Sequence, residues 1–514
     1  MKIGPWIAAL GLLACGDDGN EPPDAPRDAA VDASSPIDAG APDTSTPTPE
    51  AGVALLAWQA WGDAGYQRAT LAAAPQQNVA LVRRPATGAR IGSLVWNPGG
   101  PGGSAIDALP DLIEGLGSEV LQRYDLVAMD PRGVGHSDPI VCHSKLQQLF
   151  GVDPAPDDEQ EWAAVDTVAK QFADECASKY SPALLGAMRT QNVAADLELL
   201  RQQLGEDKLN FLGFSYGSAL GAYYAASFPD KVGKLVLDGP FDLALDPFAG
   251  SLEQAKGFEQ ALANYFEWCN AERCAWANGN PAQAFAALQQ QVETTPLPGD
   301  DRPCGPSELV QGVLTFLYAG EDGWEVISDD LLLATQGDGT GLVESMDIYL
   351  GRDFETGEYP NLTEANAAVN CVDDNPITFA QIRAQEAAFK AAAPIFGVPV
   401  LSHLAVCAHW PAQGMKGALP ANVTSQPFLV VGTTQDPATP YAGAQAMVAR
   451  LGPSARLFTF DGEGHTAYAR GVACVDAVVE DYLLDGTLPA AGASCMDSAF
   501  ALGVRLTRKP VIRR

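Results

Sequence analysis

The chain has 514 residues, a length that can bury a large core and that predicts one enlarged domain or two domains. Its 64 acidic and 31 basic side chains give a formal net charge of −33, which argues against a nucleic-acid partner because phosphates would be repelled. The acidic balance is typical of a protein that stays soluble outside the cell.

The first residues are typical of an export signal. Lys2 precedes an apolar run over residues 3–14 that is too short to span a bilayer, and residues 12–15, Leu-Leu-Ala-Cys, resemble a bacterial lipobox. Proteins with that motif are cleaved before the cysteine, which is then lipidated. Residues 1–14 are therefore predicted to be a signal peptide, and Cys15 is predicted to anchor the exported protein to a membrane. A plain secretory signal with an incidental cysteine is the alternative.

Both ends of the chain are predicted to lie outside the folded body. Residues 15–50 are expected to form a disordered tether, since residues 16–50 hold seven prolines, nine acidic side chains and no aromatic residue. Residues 501–514 form a basic tail. This tail is interpreted as solvated, with a contact to a membrane surface as the alternative.

Short apolar or β-rich runs alternate with helical patterns between these ends. Helical spacing is clear at Val193, Leu197, Leu200 and Leu204. The alternation predicts an α/β fold, with a mostly parallel, buried sheet and helices on both of its faces. The strand-like runs are residues 91–96, 124–129, 209–214, 234–237, 427–432 and 456–460.

One long segment interrupts this pattern. Residues 241–425 contain no strand-like run and show helical patterns instead, for example at residues 282–292 and 380–392. Because loops at the C-terminal edge of such a sheet carry function, the segment is predicted to form a helical cap over an active site. The α/β core is accordingly expected to comprise residues 51–240 and 426–500.

Ser215 lies in the pattern G-x-S-x-G, since residues 213–217 read Gly-Phe-Ser-Tyr-Gly. The motif follows a strand-like run and precedes a helical pattern at residues 218–227, which is the context of a nucleophile elbow. In such a turn the serine is strained, and the glycines leave room on both sides of it. The pentapeptide alone is also compatible with an ordinary loop.

Two later loops supply an acid and a base in the chain order that such a fold uses. Asp436 follows one strand-like run, and His465 follows the next, 29 residues further along. Asp461 and Glu463 are alternative acids. The order predicts a triad of Ser215, His465 and Asp436 that performs acyl transfer.

A glycine-rich segment at residues 97–104, Asn-Pro-Gly-Gly-Pro-Gly-Gly-Ser, follows another strand-like run. An oxyanion hole needs two backbone N–H groups aimed at the developing negative charge. One is expected from Tyr216, the residue after the serine, and the other from this loop. A phosphate-binding loop is the rival interpretation, but the Lys-Ser/Thr that it requires does not follow. No cofactor is expected.

Ten cysteines suit an exported chain. Neighbours in the sequence suggest three disulfides and a trio in which two cysteines are joined and one is free, although spacing alone leaves other connectivities open. A zinc site is the alternative, but there is no C-x2-C pair and the histidines are scattered, so no metal is expected. The suggested pairs are Cys142–Cys176, Cys371–Cys407 and Cys474–Cys495, and the trio is Cys269, Cys274 and Cys304.

Further motifs accompany these residues. They are DPRGVGHSDP at residues 130–139, residues 190–217 ending in KLNFLGFSYG, LDGP at 237–240, CVD at 371–373 and CAHWP at 407–411. Together with the glycine-rich loop and the acid and base loops, they resemble the exported tripeptidyl aminopeptidases. These enzymes are relatives of proline iminopeptidase within the α/β-hydrolase superfamily. The resemblance covers roughly residues 50–500 and implies an α/β-hydrolase core with a helical cap.

The resemblance implies a serine exopeptidase that removes short peptides, such as tripeptides, from free N-termini without a cofactor. It implies Ser215 as the nucleophile, Asp436 and His465 as its partners, and Gly100 with Tyr216 as the oxyanion donors. An esterase with the same triad is one alternative. A surface-anchored binding protein that keeps the fold without turnover is another.

Two features concern the substrate side of the site. The related iminopeptidases begin the glycine-rich loop with His-Gly, whereas this chain has Asn97 and Pro98. A peptidase that measures from the N-terminus must also hold the substrate ammonium at a fixed distance from the serine, and a carboxylate is its natural partner. The resemblance points to Asp373, close to Cys371. Alternatively, Asp373 caps a helix or pairs with an arginine.

Overall fold

The structure is a computed structural model that describes residues 54–62, 65–73, 77–142, 144 and 146–496. The predicted signal peptide, Cys15 with its tether and the basic tail lie outside the described residues. Within the described ranges, no helix combines the length and apolarity needed to cross a membrane.

The centre of the described chain is a ten-stranded sheet. Its strands are β1 (Gln59–Trp61), β2 (Tyr66–Ala73), β3 (Gln77–Arg84), β4 (Gly92–Asn97), β5 (Tyr124–Met129), β6 (Leu209–Phe214), β7 (Val232–Asp238), β8 (Phe428–Gln435), β9 (Ala455–Glu463) and β10 (Ser494–Met496). In space they lie in the order β1-β2-β3-β5-β4-β6-β7-β8-β9-β10. The pairings from β1 through β3 to β5 are antiparallel, and all the others are parallel.

The six predicted strands are β4 to β9, the parallel centre of the sheet. Every residue of β4 and β5 is buried, because helices pack on the sheet and the apolar runs have no solvent-facing side. The packing helices are α1 (Leu109–Gly115), α2 (Ser118–Arg123), α6 (Thr190–Leu204), α7 (Tyr216–Ser227), α17 (Tyr441–Leu451) and α18 (Ala473–Asp485). The mostly parallel α/β architecture is thus confirmed.

Nine α-helices and no strand lie between β7 and β8 in the described chain, as the sequence pattern indicated. These helices are α8 (Pro247–Glu272), α9 (Pro281–Thr294), α10 (Pro306–Leu317), α11 (Glu321–Thr335), α12 (Thr340–Leu350), α13 (Leu362–Asp373), α14 (Phe379–Ala392), α15 (Gly397–Ser402) and α16 (Ala405–His409). We refer to residues 241–425 as the helical insertion.

The helical insertion packs together with an earlier part of the chain. Buried side chains of residues 367–412 share one hydrophobic cluster with those of residues 140–188. This earlier part contains α3 (Leu146–Phe150), α4 (Glu159–Lys179) and α5 (Pro182–Gly186), which precede the nucleophile motif. The helical layer is therefore assembled from two separate stretches of sequence.

Four disulfides join eight of the nine described cysteines. Two of them, Cys142–Cys176 and Cys371–Cys407, belong to the shared cluster of the helical layer, with Cys407 half-buried at its edge. Within the trio, Cys269 pairs with Cys274, and Cys304 is buried and free. The remaining bridge, Cys474–Cys495, ties α18 to the edge strand β10. The structure contains all three pairs that the sequence suggested, besides the bridge within the trio.

Candidate active site

Ser215 occupies the sharp turn between β6 and α7. Its backbone has φ 53° and ψ −120°, a conformation that a residue with a side chain rarely adopts and that is typical of a nucleophile elbow. The turn has no room for larger neighbours. A Cβ at Gly213 would lie 2.3 Å from the carbonyl oxygen of Gly217, and a Cβ at Gly217 would lie 2.7 Å from that of Asn97.

Hydrogen bonds on both sides hold the strained serine. The backbone N–H of Ser215 donates to the carbonyl oxygen of Asp238 at 2.8 Å, at the end of the neighbouring strand β7. The carbonyl oxygen of Ser215 accepts from the N–H of Ser218 at 2.9 Å and from its hydroxyl at 2.6 Å. The surrounding structure thus stabilises a backbone conformation that costs of order 1–3 kcal/mol.

Asp436 and His465 come together at the ends of β8 and β9. The two carboxylate oxygens of Asp436 lie 2.8 and 2.9 Å from Nδ1 of His465, and both side chains are buried. Asp436 also accepts from the N–H groups of Ala438 and Thr439, each at 2.9 Å, and from the Thr439 hydroxyl at 3.0 Å. These bonds fix the carboxylate, which in turn fixes the plane of the imidazole.

The other nitrogen of this imidazole is free to accept a proton. Nε2 of His465 is buried and has no hydrogen-bond partner among the described residues. Because Nδ1 faces the carboxylate, the hydrogen-bond network assigns the proton to Nδ1 and leaves the lone pair on Nε2. The ring of Tyr318, in the helical insertion, packs edge to face on the imidazole, with ring centroids 5.5 Å apart. The backbone N–H of His465 donates to the backbone carbonyl oxygen of Tyr318 at 2.8 Å.

The two alternative acids point elsewhere. Asp461 accepts from the Thr434 hydroxyl at 2.9 Å, and Glu463 accepts from the side-chain amide of Asn264 at 2.9 Å. Burial raises the pKa of Glu463 to about 7. Of the three candidate acids, Asp436 is the one in contact with the imidazole.

The glycine-rich loop lies directly on the elbow. A Cβ at Gly99 would lie 2.9 Å from Cβ of Ser215 and 3.2 Å from the backbone nitrogen of Tyr216, and its φ of +101° also requires glycine. Tyr216 is the first residue of α7, where N–H groups have no partner within the helix and the helix dipole is positive. Gly100 and Tyr216 line the same cavity as Ser215.

Several known proteins are similar to this chain over most of its length. Residues 92–282 match the family model described as alpha/beta hydrolase fold, and residues 393–495 match the model described as TAP-like protein. Serine protease Hip1 of Mycobacterium tuberculosis is 36% identical over 81% of this chain and 83% of its own length. This chain is an α/β hydrolase of the TAP-like family.

Two further relatives of this hydrolase have different names. Carboxylesterase B of Mycobacterium tuberculosis is 35% identical over 82% of the chain and 83% of its own length. Tripeptidyl aminopeptidase of Streptomyces lividans is 30% identical over 80% of the chain and 78% of its own length. The family resemblance that the motifs indicated is thus confirmed.

The hydrolase has a cavity of about 810 Å³ between the elbow and the helical insertion. Its lining includes Ser215, Gly100 and Tyr216 from the core side, and Asp373 and Asn366 from α13. Pockets of 300–1,000 Å³ typically hold ligands of small-molecule or short-peptide size. The nucleophile motif and the insertion therefore face one common space.

Asp373 has a structural role as well as a place in this lining. It accepts from the backbone N–H of Thr190 at 2.8 Å, which caps the first turn of α6, and from the Thr190 hydroxyl. The Thr190 hydroxyl oxygen also lies 2.6 Å from that of Tyr216. A chain of hydrogen bonds thus links Asp373 through Thr190 to the residue after the nucleophile. Burial raises the pKa of Asp373 to about 6.

Sequence reasoning missed two residues around the imidazole of the hydrolase. Tyr318 belongs to the helical insertion, and no motif signals its contact with His465. Asp238 accepts from the N–H groups of Ala467 and Tyr468, at 2.9 and 2.8 Å, in the loop after His465. The sequence placed Asp238 directly after the predicted run at residues 234–237, but it did not show which groups the carboxylate binds.

Proposed function

We propose that this hydrolase is a serine exopeptidase that releases short peptides, such as tripeptides, from free N-termini. The observation that carries the proposal is the buried Asp436–His465 pair, whose Nε2 has no hydrogen-bond partner among the described residues, together with a nucleophile elbow whose Ser215 lines a cavity. Two relatives carry the names serine protease Hip1 and tripeptidyl aminopeptidase, which supports peptide substrates.

In the proposed mechanism, Nε2 of His465 accepts the proton of Ser215 Oγ while that oxygen attacks the peptide carbonyl carbon. Asp436 stabilises the imidazolium, because its two carboxylate oxygens lie 2.8 and 2.9 Å from Nδ1 of His465. His465 then donates the proton to the leaving amine. A water molecule, deprotonated by the same imidazole, attacks the acyl-enzyme and regenerates Ser215.

The negative oxygen of the tetrahedral intermediate requires two aimed donors. We assign them to the backbone N–H groups of Gly100 and Tyr216. The contact of Gly99 with Ser215 supports this assignment, because it places the following residue, Gly100, at the mouth of the elbow. The neighbouring N–H of Gly99 is already bonded to the Asn97 side-chain oxygen at 3.1 Å.

The charge of the cavity favours a substrate with a free ammonium group. Among the described lining residues, Lys416 is the one lysine, no arginine occurs, and Lys416 lies 3.2 Å from a carboxylate oxygen of Asp374. A cavity lined by one sign of charge concentrates ligands of the opposite sign. We assign the ammonium to Asp373, because its bonds to Thr190 connect it to the elbow. The acidic lining residues are Asp242, Asp246, Glu253, Asp373 and Asp374.

An esterase is the second candidate. It rests on the relative named carboxylesterase B, at 35% identity, and on the fact that the same triad hydrolyses esters. The two candidates differ in their substrates and not in their catalytic groups. They are therefore separated by kinetics and not by structure.

The test combines active-site labelling with matched substrates. A fluorophosphonate probe should label the wild type and Ser251→Ala, whose serine lines the same cavity, but not Ser215→Ala. Absence of label on the wild type would refute a serine hydrolase. Turnover is then compared for a tripeptide anilide with a free N-terminus, its N-acetyl form and the corresponding ester. Equal rates on the two anilides would contradict an exopeptidase, and turnover of the ester alone would establish an esterase.

We further propose that the protein is exported and anchored through lipidated Cys15. The four disulfides support an oxidising compartment, since such bonds persist outside the cytosol. Detergent phase partitioning of the full chain should place the wild type in the detergent phase and Cys15→Ser in the aqueous phase. Partition of the wild type into the aqueous phase would contradict the anchor.

A further inference from the structure

Asp238 is a buried carboxylate that the proposed mechanism leaves unused. It is the last residue of β7, the strand between β6, which leads to the nucleophile, and β8, which leads to Asp436. It pairs with Phe214 on one side and with Val431 on the other. The residue therefore lies in the sheet directly between the loops of the nucleophile and the acid.

Two parts of Asp238 bind two parts of the site. Its backbone carbonyl oxygen accepts from the N–H of Ser215 at 2.8 Å. Its carboxylate oxygen Oδ2 accepts from the N–H groups of Ala467 and Tyr468, at 2.9 and 2.8 Å. One residue thus holds both the nucleophile and the loop that carries His465.

The loop after His465 needs such support. Thr466 and Ala469 both have positive φ, 63° and 62°, a conformation that side-chain-bearing residues seldom adopt. Strained backbone persists where surrounding bonds over-determine it. The two N–H groups that Asp238 binds lie between these two strained residues. The carboxylate is therefore placed where it can hold the loop in its strained shape.

The second carboxylate oxygen points to a role beyond support. Asp238 is fully buried, at 0% exposure, and its Oδ1 has no hydrogen-bond partner among the described residues. A buried, unpartnered carboxylate oxygen costs free energy, so a residue that only held two N–H groups would be served as well by a neutral acceptor. The ionisable groups facing it are Asp436 from the loop after β8, and His465 and Arg470 from the loop after β9.

Building on the proposed mechanism, we propose that Asp238 is a positioning residue whose carboxylate fixes the His465 loop and whose negative charge stabilises the imidazolium formed during catalysis. The end of β7 lies beside the imidazole, since a Cβ at the next residue, Gly239, would lie 3.2 Å from Cε1 of His465. Asp238 and His465 are both buried, and a charge acts more strongly on another group there than in bulk water. Burial, opposed by the two N–H bonds, raises the pKa of Asp238 to about 6, so the carboxylate is ionised at neutral pH.

The test is the pH profile of kcat/KM for an ester, a substrate that does not depend on the peptide specificity. Asp238→Asn should lower kcat/KM roughly tenfold to a hundredfold, the scale of one hydrogen bond to a charged group. The acidic limb should also move to lower pH by about half a unit to one unit, because a negative charge that favours the protonated imidazole is gone. Glu364→Gln is the matched control, since Glu364 is fully buried and accepts the N–H of Cys142 at 3.0 Å. It should leave the limb unchanged.

An unchanged acidic limb in Asp238→Asn would overturn the proposal, whatever the loss of rate, since a purely structural role does not move it. Asp238→Ser is the second variant if the asparagine fails to fold, and it should show the same shift. If neither variant folds, the carboxylate serves the fold alone and the proposal is wrong. Fluorophosphonate labelling of the wild type separates this outcome from failure of the proposed function, which would leave Ser215 unlabelled.

Discussion

Replacement of Asp373 by asparagine tests how the substrate ammonium is held. The asparagine keeps the size of the side chain and an oxygen that can accept from the backbone N–H of Thr190. In the wild type this N–H lies 2.8 Å from the Asp373 carboxylate. It removes the negative charge from the cavity. We expect KM to rise for peptides with a free N-terminus and to stay unchanged for N-acetylated esters, since only the former lose a charged partner.

The size of the effect follows from the bond that is lost. A hydrogen bond to a charged group contributes about 1.5–3 kcal/mol, and about 1.4 kcal/mol corresponds to a factor of ten. KM for the free peptide should therefore rise roughly tenfold to a hundredfold. Loss of charge at the cap of α6 should cost at most about 1 kcal/mol of unfolding free energy.

The wild type should show a related pH dependence. Burial raises the pKa of Asp373 to about 6, and below that pH the carboxyl group is protonated and no longer attracts an ammonium. KM for the free peptide should rise as the pH falls through about 6, while KM for the N-acetylated ester stays level. In Asp373→Asn both curves should be level over this range.

Two further variants serve as controls. Asp374→Asn removes the neighbouring carboxylate, which lies 3.2 Å from Lys416, and should change KM less. Thr190→Val breaks the hydroxyl link to Tyr216 and leaves the charge, so it should lower kcat on both substrates. Equal losses on both substrates in Asp373→Asn would show that Asp373 serves the fold. A larger KM effect in Asp374→Asn would assign the ammonium to that residue instead.

Three other predictions concern the elbow and its supports. Ser215→Ala should remain folded and lose roughly 10⁴-fold or more of kcat, and comparable turnover would contradict the mechanism. Gly99→Ala places a methyl group 2.9 Å from Cβ of Ser215. It should therefore lower kcat at least about tenfold and the free energy of unfolding by about 1–3 kcal/mol. Unchanged kinetics would show that the loop does not touch the elbow. Breaking Cys474–Cys495, which closes a loop of 21 residues, should lower the free energy of unfolding by about 3 kcal/mol. It should also lower kcat, because β10 pairs with β9, the strand before His465. Mass spectrometry that finds free thiols at these cysteines in exported protein would refute the bridge.

The interior strands β4 to β8 were predictable because they are largely buried on both faces, whereas β9 is only partly buried. β4 to β9 appear as short apolar runs, and the structure places them within a few residues of the predicted bounds. The antiparallel strands β1 to β3 and the edge strand β10 were not predicted. β1 and β10 have three residues each, which is too short to show a period. β2 and β3 mix polar with buried residues, so they do not appear as the short apolar runs that mark the interior strands.

The helical layer shows a second limit of the sequence. The strand-free insertion was visible as a stretch without β-runs. Its packing with α4 was not, because helical periodicity shows that a helix has an apolar face and not which partner covers that face. The pairing of Cys269 with Cys274, which left Cys304 free, was likewise undetermined until distances were available.

The sequence by itself determined where Ser215, Asp436 and His465 lie, because parallel strands end at one edge of their sheet and each residue follows such a strand. The tertiary structure alone decided what surrounds them. The contact of Tyr318 with the imidazole and the bonds from Asp238 to the loop after His465 join residues far apart in the chain. Local periodicity records the neighbours of a residue along its own helix or strand, whereas these contacts depend on how separate elements pack.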